Sequence, residues 1–103
     1  MFVRLTFISI MADKKADLEK RYVQEIIPVV KKQQGNLGVR LLEPTASDEA
    51  YISLTEWETP ADAERYESSG TYKELVDSLK PDYSGKPILK TYTAVERKLA
   101  VTM

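Results

Sequence analysis

Side chains alternate in character from residue 2 to residue 10, and near Asp13 the period lengthens to that of a helix. This change of period, met again later in the chain, limits the available folds more than any other feature. Val3, Leu5 and Phe7 fall on one face of the first run and Arg4, Thr6 and Ile8 on the other, among β-branched and aromatic residues that favour a strand. From Asp13 to about residue 34, Leu18, Tyr22, Ile26, Val29, Val30 and Gln33 share one helical face. Asp13 is the expected N-cap and Gly35 the expected C′ residue. Pro28 lies inside this helix, where it removes the bond to the carbonyl of Gln24 and is expected to interrupt the axis.

The alternating pattern returns at 37–43 and 51–57, joined by a polar turn at 44–50, which reads as a hairpin. Thr59-Pro60 then announces a second helix, with Thr59 as N-cap, Pro60 at the first helical position and Asp62 in the first turn. Ser68-Ser69-Gly70 should break it, and a second piece over 71–80 carries Tyr72, Leu75, Val76 and Leu79 on one face. Pro81 ends that piece, 82–87 reads as a loop and 88–95 as a fourth strand. The tail 96–103 is a C-terminal extension that prolongs the last strand, pairs with a partner or frays.

The resulting order, β-α-β-β-α-β, is that of an α+β ferredoxin-like domain over residues 1–95: a four-stranded antiparallel sheet with its helices on one face. Its other face would be open. Ile8, Ile10 and Leu42 add apolar groups at both parities, more than a monomer usually exposes, so two-fold packing into a homodimer is expected.

Composition narrows the chemistry. The chain has no Cys and no His, which removes disulfides, Cys/His zinc sites, imidazole bases and an axial His on haem iron. No carboxylate spacing resembles a calcium loop, and no cofactor motif is present, so neither metal nor cofactor is expected. A net charge of -1 with intermixed signs argues against a nucleic-acid partner. The apolar N-terminus is broken by Arg4 and Thr6 and follows no basic segment, so it does not read as a signal peptide. It is also too short to span a bilayer; no membrane partner is expected, and a cytoplasmic location is.

The stretch QQGNLGVRLLE followed by AYISLTEWETPADAERYESSGTYKEL resembles the core of the antibiotic biosynthesis monooxygenase (ABM) family, with Gly35, Trp57, Ser69 and Tyr72 at matching positions and the likeness running over 2–95. The resemblance implies a dimeric α/β barrel with one pocket per subunit between sheet and helices. It also implies an activity: cofactor-independent oxygenation of phenols or quinols, or haem degradation. The haem degraders use an Asn on the first strand, the Trp, and a His on the second helix. Here Trp57 is kept, Tyr66 stands nine residues later, and Asn36 is the only Asn, so the haem-degrading pattern is incomplete and haem binding through Tyr66 is a minor reading.

Within that resemblance, Tyr66 and Tyr72 are the catalytic candidates, as hydrogen-bonding or proton-relay groups. A tyrosine accepts a proton only where its surroundings bring its pKa toward neutrality, and both also read as ordinary core residues. Trp57 is a substrate-binding candidate, either stacking on a flat ligand or filling the end of the sheet. Arg40 is a candidate stabiliser of phenolate charge, with Tyr92, like Tyr51, a weaker pocket candidate. A lone buried charge is costly, so the strand residues Arg4 and Arg40 are expected to face outward or to pair across the dimer more readily than to meet a ligand. The expected ligand is a small hydrophobic or aromatic molecule, and a non-catalytic dimeric binding module is the alternative to an enzyme.

Overall fold

The first alternating run forms β1 (Phe2–Ile8) in the computed structural model, which describes residues 1–95; the tail 96–103 lies outside the described residues. β1 stops at Ile8, two residues short of expectation, because the chain leaves the sheet at Ser9, whose carbonyl accepts from Ser84 N–H at 2.8 Å, and Ile10 makes only an isolated bridge to Tyr83. Asp13 does not cap the helix that follows. It sits inside a single tight turn, Ala12–Lys14, closed by Lys14 N–H to Met11 O at 2.9 Å.

The first helical arm comprises α1 (Lys15–Arg21), a π turn (Tyr22–Ile26) and α2 (Ile27–Lys31). The interruption expected at Pro28 takes the form of that π turn, in which Ile27 N–H reaches back five residues to Tyr22 O. Its effect on packing follows from the spacing of the buried residues Leu18, Tyr22, Ile26 and Val30, each four after the last. In a regular α-helix such a row drifts about 40° per step, and a widened turn takes back part of the drift, so all four stay over the sheet. Gly35 then leaves the arm with a φ of 81°, a left-handed conformation that favours glycine, and its carbonyl accepts from Glu58 N–H at 2.8 Å.

β2 (Asn36–Leu42) and β3 (Tyr51–Trp57) form the hairpin, with β2 starting and ending one residue earlier than the alternation suggests and its register shifting between Asn36 and Gly38. Thr59 caps α3 (Pro60–Glu67), its hydroxyl accepting from Asp62 N–H at 3.2 Å. Ser69 caps α4 (Gly70–Leu79) in the same way through Tyr72 N–H at 3.2 Å, so the expected break is a second helix start. A short turn at Lys80–Asp82 leads toward β4 (Ile88–Thr93), which ends two residues before the predicted limit. The strands lie in the order β2-β3-β1-β4, every neighbouring pair antiparallel: the ferredoxin-like α+β fold.

Register decides which residues meet the helices. Phe2, Arg4, Thr6 and Ile8 stand opposite Trp57, Thr55, Ser53 and Tyr51, and the buried ends of this double row, Ile8, Tyr51 and Trp57, show that it faces the core. Val3, Leu5, Phe7, Ile52 and Leu54 point the other way by alternation. Arg4 is therefore not an outward residue. It is 5% exposed, carried inward by the same pleat that buries Ile8.

Candidate functional site

A cavity of about 70 Å³ lies between the sheet and the helices. Its floor is the polar part of the double row, Arg4, Thr6, Ser53 and Thr55. The first helical arm covers one side with Tyr22, Ile26 and Val30, the first two from the π turn. Tyr66 of α3, Tyr72 and Leu79 of α4, and Tyr83 complete the wall.

The aromatic candidates converge in a chain. Trp57 stacks on Tyr66 with ring centres 5.3 Å apart and planes 26° from parallel, and Tyr66 meets Tyr72 edge-on, again at 5.3 Å. The guanidinium of Arg4 then lies over the Tyr72 ring, 5.5 Å from its centre. Trp57 itself is wholly buried behind Tyr66, and its Nε1–H donates to Thr55 Oγ1 at 2.9 Å. Of its two sequence readings, filling the end of the sheet describes this arrangement. Trp57 backs the wall, and Tyr66 is the ring that lines the cavity.

Arg40 and Tyr92 are not brought to the cavity. Arg40 pairs with Leu54 and Tyr92 with Val3, so parity sends both to the outer face, where they are exposed. Only the Arg40 carbonyl reaches back, accepting from Tyr22 OH at 3.4 Å. Tyr51 is buried against the first arm, its hydroxyl donating to Glu19 Oε2 at 2.5 Å.

Burial, reinforced by the neighbouring Tyr72 and Tyr22 and only partly offset by Arg4, holds the Tyr66 hydroxyl well above the ordinary tyrosine pKa. The shift is opposite to the one a tyrosine base needs, so Tyr66 keeps its proton and is available as a hydrogen-bond donor. Tyr83 is pushed up to about 12, chiefly by burial, and burial also raises Tyr22 against the lowering effect of its hydrogen bond with Ser53, 2.6 Å long. Among the described residues no hydrogen bond engages the hydroxyls of Tyr66 or Tyr72.

Arg4 is the residue that sequence reasoning missed, and the only charged side chain among the described residues lining the cavity. Its Nη2 lies 3.3 Å from Glu67 Oε1, close enough to pair but outside hydrogen-bond geometry, so this buried nitrogen keeps an unused donor. A signal was present: Arg4 and Thr6 share their face with Ile8, and Ser53 and Thr55 stand between Tyr51 and Trp57, a polar row bracketed by large apolar residues. No group of three or more metal-ligating side chains occurs among the described residues, and no helix there is long and apolar enough to cross a membrane.

Comparison with known proteins accords with this architecture. Among solved structures, the chain is similar to an assigned antibiotic biosynthesis monooxygenase of Bordetella bronchiseptica (TM-score 0.81, 18% identity, 90% of this chain and 95% of that one). A second, from Nitrosomonas europaea, aligns with TM-score 0.77 and 16% identity over 91% and 98% of the two chains. The haem degrader MhuD of Mycobacterium tuberculosis, solved with two haems in its active site, aligns with TM-score 0.77 and 22% identity over 92% and 96%. At these identities the likeness is one of fold. Comparison with curated protein sequences gives no match. The family model for antibiotic biosynthesis monooxygenase matches residues 1–78, most of the chain, and this protein belongs to that family.

Proposed function

We propose that the protein is a cofactor-independent monooxygenase acting on a small phenolic or quinol-like aromatic molecule, and that it works as a homodimer. The observation that carries this reading is the aromatic wall of Tyr66 and Tyr72, backed by Trp57 and ending at Arg4, around a cavity between sheet and helices. A flat electron-rich ring suits such a wall. In the overall reaction a phenol and one O₂ give a quinone and one water, all four electrons coming from the organic substrate. The protein's part is then positioning, exclusion of water and support of developing negative charge. Tyr66, which retains its proton, is suited to donate a hydrogen bond to an oxygen of the substrate or of the incoming O₂.

Two observations speak against haem as the ligand. Tyr66, nine residues after Trp57, is held as a protonated phenol in a stack and is a poor axial ligand. The cavity of about 70 Å³ is also far below the ~300 Å³ at which drug-sized pockets begin. The homodimer is supported by the outer sheet face, where Val3, Leu5, Phe7, Ile52 and Leu54 lie together, bordered by Arg40, Glu56 and Lys90, on the side away from the subunit's own helices.

Oxygen uptake with a panel of single-ring phenols and quinols tests the enzyme. Stoichiometric consumption is expected, reduced about a hundredfold in Tyr66→Phe. No uptake by folded protein across the panel would favour the second reading, a non-catalytic module that binds a small aromatic molecule. One observation favours that alternative: the tyrosines whose pKa values are displaced all move away from neutrality, which leaves none of them poised to take a proton.

A further inference from the structure

Arg4 is a permanent cation held at 5% exposure in the cavity wall, and a buried guanidinium is stable only where something negative or hydrogen-bonding meets it. Its partner is poorly matched. Glu67 approaches to 3.3 Å without hydrogen-bond geometry and leaves the Nη2 donor unused, and the Tyr72 ring face supplies the rest. Glu67 is also loosely held. It is the last residue of α3, directly before the Ser68-Ser69-Gly70 break, and its side chain is 42% exposed, so its carboxylate can turn to water at little cost. The cavity thus has a fixed positive charge inside and a replaceable negative one at its rim.

We infer that Arg4 is an anion anchor and Glu67 its exchangeable counterion: a single-ring molecule bearing a planar oxyanion, carboxylate or ionised phenol, enters the cavity, takes the Arg4 donors and displaces Glu67. A carboxylate matches the guanidinium fork with two oxygens and an ionised phenol meets it with one, and either can take the Nη2 donor that Glu67 leaves unused. The size limit comes from the cavity, whose 70 Å³ corresponds to on the order of five water molecules, about the heavy atoms of one ring. This deepens the monooxygenase reading by fixing the ligand's charge and ring count, and its choice of ring chemistry rests on that reading.

The test uses 4-nitrophenol, which is yellow only when ionised, mixed with excess intact protein at a pH where half of the free compound is ionised. Binding is expected to raise the yellow absorbance. Arg4→Gln should abolish the rise and weaken binding at least tenfold, in the range of a hydrogen bond to a charged group. Glu67→Gln should tighten binding by up to about fivefold, as release of an exposed ion pair allows. Benzoate should displace the probe at least tenfold more effectively than uncharged benzamide. Comparing the affinities of benzoate and ionised nitrophenol tells which oxyanion the site prefers. Preferential binding of colourless nitrophenol, equal competition by benzamide, or unchanged or weaker binding in Glu67→Gln would each overturn the assignment. Should Arg4→Gln fail to fold by circular dichroism, the Glu67 variant and the benzoate/benzamide pair decide alone. Oxygen uptake recorded in parallel separates the two readings. Charge-selective binding without uptake keeps the anchor and rejects the enzyme, whereas uptake without charge selectivity does the reverse.

Discussion

In the middle of β1 and β3 the two faces of the sheet invert the usual arrangement. Toward the helices, where a small domain normally concentrates its apolar residues, β1 and β3 present Arg4, Thr6, Ser53 and Thr55. Toward the open side they present Val3, Leu5, Phe7, Ile52 and Leu54, with Glu56 at the end of the row. The difference teaches where each face finds its solvent. The inner row surrounds a cavity, and its polar groups fit the proposed anionic ligand, while the ends of the row, Ile8, Tyr51 and Trp57, supply the apolar packing. The outer face combines that apolar row with Arg40, Glu56 and Lys90, and on the proposed two-fold dimer a second copy would cover it.

The largest expected effect comes from inverting the outer face. Ile52→Glu, flanked across the sheet by Phe7 and Leu42, would place two like-charged, unpaired carboxylates in the proposed dimer interface, at about 3–5 kcal/mol for each buried charge. Native mass spectrometry should show dimer replaced by folded monomer. A wild-type protein that is monomeric at the same concentration would break the comparison, since the apolar face would then need no cover. On the inner side, Trp57→Ala should lower the unfolding free energy by about 3–5 kcal/mol in urea titration, because it removes a wholly buried ring and the support of Tyr66. A loss under 1 kcal/mol would mean that Tyr66 is held without it.

What was legible in the sequence follows the same division. Thr59-Pro60, Ser69 and Gly35 mark helix ends through chemistry confined to three or four residues, so the order of elements and the ferredoxin-like fold could be read directly. Tyr66 and Tyr72, both named as candidates from the sequence, are in edge-on contact. Arg4, expected to face outward, turns inward, while Arg40 faces outward as expected and, with Tyr92, lies away from the cavity that their candidate roles required. Which parity of a strand faces the helices is settled by pairing with distant strands, and β1 is apolar enough on both sides to hide the answer. Trp57 was legible as a residue of the wall but not as its second layer, because the stack with Tyr66 joins two elements through tertiary contact alone.

Polarity buried outside the cavity should be dispensable, and Asp82 tests this. It is 2% exposed, and its Oδ2 has no hydrogen-bond partner among the described residues. Burial, followed by the hydrogen bond and charge of Asp17, holds its carboxyl above the usual carboxylate range despite Arg21 and Lys14. The folded protein therefore keeps this proton more tightly than the unfolded chain does. Stability falls as pH rises above the unfolded value, about 3.9, and the loss is complete once pH exceeds the folded value. Asp82→Asn lacks that loss and should be more stable than the parent at pH 7 by about 1–2 kcal/mol, with the gap closing below pH 4. A gap independent of pH would assign the effect to packing.

The smallest expected effect is the most local test of inner polarity. Ser53 Oγ and Tyr22 OH lie 2.6 Å apart across the cavity floor, and without Ser53 the phenol keeps only its long, 3.4 Å donation to Arg40 O. Ser53→Ala should cost about 1 kcal/mol in urea titration and raise the Tyr22 pKa further, since this hydrogen bond lowers it. The dimer dissociation constant should not change, because the side chain of Ser53 points away from the outer face. Were Ser53→Ala neutral, a water in the enlarged cavity would be serving Tyr22 equally well, and the inner row would be polar to hold water as much as ligand. Were it to weaken the dimer, the two faces would be mechanically coupled through β3, and ligand entry on one side would be felt on the other.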